Sequence, residues 1–139
     1  LVVVERDAWV HRALADIATG LELVECRAPR AGLNACCALV PDCLLTGLRP
    51  NEPDGLWLIQ ALRAQPGEVS AIPVVGMTPR HYPVRQGDDD PIRVQALRAG
   101  ADVVLQKPLE AGEVLSQVEA LIAMVARLSS RRRRAPEVD

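Results

Sequence analysis

The chain has no phenylalanine, and Trp9, Trp57 and Tyr82 are its only aromatic residues among 139. Its core is therefore aliphatic, built from Val, Leu, Ile and Ala, as in a sheet covered by helices on both faces. No apolar run approaches the ~18 residues of a membrane-spanning helix. Cys26, Cys36, Cys37 and Cys43 lie close together but lack the paired spacing of a structural zinc site. They read as reduced, buried or half-buried thiols of a cytoplasmic protein. No glycine-rich phosphate loop follows the opening apolar run, where Glu5-Arg6-Asp7-Ala8 stands instead. A Ser/Cys–His–Asp set and a paired-carboxylate acid/base site are missing too. These absences argue against an enzyme. A net charge of −2 argues against nucleic acid as the main partner of the folded body. The chain opens on Leu1-Val2-Val3-Val4 with no initiator Met, too little for a signal peptide and consistent with a piece of a longer protein.

What is present is an alternation of strand-length apolar runs with helical periodicity. Residues 2–5 read as a first strand. Asp7 can cap a helix in which Val10, Ala13, Leu14 and Ile17 form one face, ended by Gly20. Residues 21–26 alternate as a strand nearer the sheet edge. Pro29 can open a helix to about Leu39, and Pro41 closes it. Residues 43–48 form a continuous apolar strand, and 55–64 a helix with Leu56, Ile59 and Leu62, capped by Asp54. Residues 72–77 are a buried strand, 92–99 a short helix ended by Gly100, and 103–105 a last strand. Val114, Val118, Leu121, Ile122 and Val125 stripe the final helix. Five strands alternating with five helices imply right-handed βαβ units and a parallel sheet. Ligands of such sheets bind beyond the strands' carboxyl ends, at a switch in strand order.

Four segments at those ends carry a family likeness. Val2-Val3-Val4-Glu5-Arg6-Asp7 resembles the first-strand motif of response-regulator receiver domains, and Cys43-Leu44-Leu45-Thr46-Gly47-Leu48 their phosphorylation strand. Ile72-Pro73-Val74-Val75-Gly76-Met77-Thr78 resembles their fourth strand with its switch hydroxyl. Ala101-Asp102-Val103-Val104-Leu105-Gln106-Lys107-Pro108 resembles the fifth strand with its Lys-Pro turn. The resemblance covers residues 1–128 and leaves 129–139 as a basic tail or linker. It implies an α/β, flavodoxin-like (βα)5 fold of three layers, with a doubly wound parallel five-stranded sheet in the order 2-1-3-4-5.

Family chemistry brings three carboxylates onto Mg²⁺, and one of them attacks a phosphoryl donor. This sequence departs from that pattern at most positions. The acceptor position is Gly47, the acidic pair is Glu5 and Arg6, and the position lending a backbone carbonyl to the metal is Arg49. The aromatic switch position is Val104. Thr78 and Lys107 remain. The resemblance therefore implies a degenerate receiver that has lost Mg²⁺ binding and aspartyl phosphorylation, has no cofactor, and acts by binding proteins.

Several points stay open on the sequence. Arg6, Arg49, Thr78 and Lys107 could together hold an anion, or Glu5 could pair with Lys107 while both arginines face water. The proline-broken segment of residues 79–91 is longer than the family's loop, and either covers the pocket, presents a partner surface or is solvated. His81 and His11 read as surface or packing residues. The family's dimerisation and docking face implies a partner, an output domain or a homodimer through Ala96, Ala99, Val103, Val118 and Leu121. Arg131, Arg132, Arg133 and Arg134 read as a linker or helix extension, with nucleic acid or an anionic membrane surface as other readings. Rival functions are a phosphorylated switch with a displaced acceptor and a small anion- or nucleotide-binding protein of the same architecture.

Overall fold

In the computed structural model, residues 1–6, 8–17, 20, 22–49, 53–78, 91–106 and 110–134 are described. The strands are β1 (Val2–Val4), β2 (Val24–Cys26), β3 (Leu44–Gly47), β4 (Val74–Thr78) and β5 (Val103–Gln106). The helices are α1 (Ala8–Ile17), α2 (Pro29–Leu39), α3 (Asp54–Arg63), α4 (Pro91–Ala99) and α5 (Ala111–Arg134), with a 3₁₀ segment, Gly67–Ala71, before β4. All pairings are parallel and the order is β2-β1-β3-β4-β5. This is the expected flavodoxin-like sheet.

Period-2 alternation along the inner strands feeds two aliphatic cores. Val2, Val4, Leu44 and Val74 point to one face, where they meet Leu33, Leu58, Ile59, Leu62, Ile92 and Ala96 of α2, α3 and α4. Val3, Leu45, Val75 and Met77 point to the other, against Val10, Leu14, Val114, Leu115, Val118 and Leu121 of α1 and α5. Both faces are covered, as the composition requires.

Element ends differ from the sequence reading for local reasons. Pro29 occupies the first turn of α2, and Val40 ends it in a left-handed conformation at φ 45°, its N–H donating to the Cys36 carbonyl. Pro53, not Asp54, precedes α3, and Asp54 is its first residue. Strand β4 starts at Val74 because Pro73 has no N–H to give a ladder; the Val74 N–H instead donates to Asp102 Oδ2 at 2.8 Å. Helix α5 runs to Arg134, so the basic run continues the last helix. Asp7, residues 79–90 with His81, and residues 135–139 lie outside the described residues.

One side chain absent from the sequence reading ties several elements together. The Arg63 guanidinium at the end of α3 donates to the carbonyls of Gly100 (2.8 Å), Ser70 (2.8 Å) and Ile72 (2.6 Å), and to Asp102 Oδ2 (3.2 Å). It ties the start of β4 to the turn before β5.

Candidate functional site

The strand order sets the carboxyl ends of β1 and β3 side by side, and the crevice beyond them is where the sequence analysis places a site. Glu5 follows β1 and is 3% exposed. Its carboxylate lies over Gly47: a Cβ built on Gly47 would stand 2.5 Å from Glu5 Oε2 and 3.1 Å from the carboxyl carbon. The missing side chain of residue 47 is what gives this carboxylate its room. Glu5 Oε1 accepts the Arg6 backbone N–H at 3.0 Å, and the Arg49 guanidinium stands 3.8 Å from the same oxygen.

The Arg6 side chain leaves that carboxylate for Asp54, at 3.2 Å, with both groups half exposed. Asp54 is therefore an ion-pair partner across the crevice rather than a helix cap. Gly55 lets α3 start this close, since a Cβ there would run into the Gly47 carbonyl oxygen. Glu5, Arg6, Arg27, Gly47, Arg49 and Asp54 line a crevice of about 40 Å³, room for roughly one ordered water. Among the described residues, three guanidinium groups thus face two carboxylates.

Among the degenerate positions, Glu5, Arg6, Gly47 and Arg49 come together, whereas Thr78 and Val104 do not line the crevice. Thr78 is buried at the end of β4, and its hydroxyl donates to the Leu105 carbonyl at 3.4 Å. Val104 is half-buried against the core under α4. Lys107 lies outside the described residues, and with it the expected Glu5–Lys107 pair. Neither arginine is left to water alone, as one arrangement supposed: Arg49 pairs with Glu5 and Arg6 with Asp54.

Arg27 went unread in the sequence, although the strand-end rule that singled out Glu5 and Gly47 points equally to the residue after β2. His11 is a packing residue with a further part. It is buried, and its Nε2 stands 2.7 Å from the Glu5 carbonyl oxygen. A carbonyl only accepts, so Nε2 carries the proton, and Nδ1 is buried with no hydrogen-bond partner among the described residues. The imidazole thus holds the backbone at the residue whose carboxylate fills the crevice.

All four cysteines are free, Cys36 and Cys43 buried and Cys37 exposed. Burial pushes the thiols of Cys36 and Cys43 up to about 12 and raises that of Cys26. Among the described residues no group of three His, Cys, Asp or Glu side chains is arranged to hold a metal ion, and no helix is long and apolar enough to cross a membrane.

Three of the five residues expected to present the docking face are not at the surface. Ala96, Val118 and Leu121 are buried in the two cores, because the sheet uses them for packing, and only Ala99 and Val103 are half-exposed. Among the described residues, the large apolar side chains that are exposed on α4 and α5 are Leu97, Met124 and Val125.

No protein-family profile and no curated protein matches the sequence. Solved structures do match it. The signal receiver domain of a signal transduction histidine kinase from Syntrophus aciditrophicus is 25% identical, with a TM-score of 0.72 over 99% of this chain and 95% of that one. The receiver domain of the Francisella response regulator 1452 is 17% identical, with a TM-score of 0.68 over 89% of this chain and 96% of that one. NtrX from Brucella abortus is 21% identical, with a TM-score of 0.75, but 99% of this chain covers only 30% of it. The chain has the receiver fold.

Proposed function

We propose that this chain is a receiver-fold signalling module that works by binding other proteins, without aspartyl phosphorylation and without Mg²⁺. The observation that carries the reading is Glu5 in the space of a residue-47 side chain: the acceptor position has no nucleophilic oxygen, and its volume is filled by a neighbouring carboxylate. That carboxylate is engaged by the Arg6 N–H and the Arg49 guanidinium. A buried anion already held by an amide N–H and a guanidinium mimics, in charge, the occupied state of such a crevice.

The donor set does not fit Mg²⁺. A hard dication wants several carboxylate, carbonyl and water oxygens in octahedral array. Here Arg6 stands where a second acid would be, Asp54 is committed to Arg6, and three guanidinium groups line the crevice. A displaced acceptor finds little support: Asp42 precedes β3 at the opposite end of the sheet, and Asp54 is ion-paired. The small crevice also disfavours a nucleotide.

A cytoplasmic place and a partner protein or output domain follow from this reading. Its test is treatment with acetyl phosphate, and separately with beryllofluoride, in the presence of Mg²⁺, read by intact mass and by Trp57 fluorescence. The expected result is an unchanged mass and an unchanged spectrum; an added phosphoryl mass on any aspartate overturns the proposal.

A further inference from the structure

At the opposite end of the sheet from the crevice, α5, the 3₁₀ segment and the loop before β3 enclose an open groove of about 430 Å³. Its apolar wall comes from Val40, Pro41, Pro73, Ile122 and Val125, with Asp42 and Glu68 on the rim. Val40 is 40% exposed and Val125 37% exposed, more than such side chains need give to water. Val40 is also held at positive φ, a conformation that β-branched residues rarely adopt. Among the described residues neither Asp42 nor Glu68 has a Lys or Arg partner within an ion-pair distance.

The chain itself carries a segment of the complementary chemistry. Helix α5 continues for eight residues beyond Ala126, the last residue of the groove wall, which is roughly 12 Å of helix. That extension holds Leu128 and then Arg131, Arg132, Arg133 and Arg134. It is a basic helix end next to an acidic, apolar groove, but it points away from the groove of its own copy. We propose that the groove receives the end of α5 from a second copy of the chain, in a twofold pair. An antiparallel crossing of the two α5 helices at Leu128 sets residue 131 of one copy beside residue 125 of the other, and residue 134 beside residue 122. Residues 131–134, all arginine by sequence, then fall beside the wall that Asp42 and Glu68 rim, so opposite charges meet along it. Both contacts are made twice, so a small patch on each copy doubles. This interface differs from the face of α4, β5 and α5 expected from the sequence, and it does not depend on the state of the Gly47 crevice.

The test is sedimentation equilibrium of the 139-residue chain at low and high salt. The wild type is expected to dimerise below about 100 μM, with a dissociation constant that rises about tenfold or more when the salt is raised. Asp42→Lys with Glu68→Lys, both on exposed side chains, should leave a folded monomer by circular dichroism. Changing all four arginines to Glu should also give a monomer, and combining the two sets should restore the dimer. A wild type that stays monomeric at about 100 μM overturns the proposal. So does a dimer indifferent to both charge reversals, which would place its interface elsewhere.

Discussion

A side chain at residue 47 and the carboxylate of Glu5 compete for one volume at the carboxyl end of β3, and in this sequence Glu5 holds it. Restoring the acid alone is therefore not a repair. Gly47→Asp sets a second carboxylate against a buried one whose nearby cations are already shared. The expected cost is about 2–4 kcal/mol, read as a lower urea midpoint, from like-charge crowding and displacement of Glu5. Glu5→Ala in the same chain frees the volume and should recover most of that loss. The two changes should thus be strongly non-additive, with a coupling of about 1 kcal/mol or more. Additive costs would mean that the two side chains do not contend for the same space. His11 bears on the same residue from beneath, through the Glu5 carbonyl, so the acid is fixed at both its backbone and its carboxylate.

The helices and strands were legible wherever periodicity was unbroken. The α1 stripe of Val10 and Leu14, the Pro29 start of α2, the apolar β3 and the glycine after α4 all fall where the pattern puts them. What periodicity does not carry is side-chain pairing across the fold. Asp54 reads as a cap but serves Arg6, and Arg63, which the pattern does not single out, clamps the carbonyls of residues 70, 72 and 100. The crevice itself was half legible: Glu5, Arg6, Gly47 and Arg49 follow from strand ends, whereas Glu5 filling the glycine's space needs three-dimensional distance. The end of α2 was readable from Pro41, yet nothing in the pattern foretells Val40 at φ 45°. A left-handed residue at this place is usually glycine, and a β-branched side chain costs about 1–2 kcal/mol there. Val40→Gly removes that strain and gives up part of the gain as unfolded-chain entropy. The expected net is a stabilisation of about 0.5–1 kcal/mol, seen as a melting temperature higher by roughly 2–3 °C. An unchanged or lower melting temperature would show that Val40 packing outweighs its backbone cost. In the paired chain the same change should weaken dimerisation, because it removes part of the groove wall.

Across the whole molecule, each of the two cores holds one fully buried thiol, Cys36 on the inner side of α2 and Cys43 just before β3, under α1 and α5. Both are held neutral up to about 12, whereas in the unfolded chain a thiol ionises near 8.5. Between those values the native state binds more protons than the unfolded state, so stability falls as pH rises. Below about pH 8 both states keep the thiols protonated, and this contribution is flat. The basic residues add little in that window, since Lys107 is the only lysine and the others are arginines, which stay charged. Tyr82 and Lys107 are the remaining side chains with reference values near 10. Urea midpoints measured under reducing conditions should therefore be level from pH 7 to 8 and decline progressively above about pH 9. Replacing Cys36 and Cys43 by Ala should lower the midpoint at pH 7, through lost packing, yet flatten the alkaline decline. The slope against pH, not the midpoint itself, is the readout that separates ionisation from cavity formation. A wild-type midpoint that holds level to pH 10.5 would mean that the two thiols reach water before the fold opens, and a decline that survives both replacements would assign it to other groups, the raised Cys26 thiol among them. One thiol sits on each face, so each ionisation sets a charge in a different core. The single replacements therefore assign the loss to a face, and equal effects from both would mark the two cores as one cooperative unit.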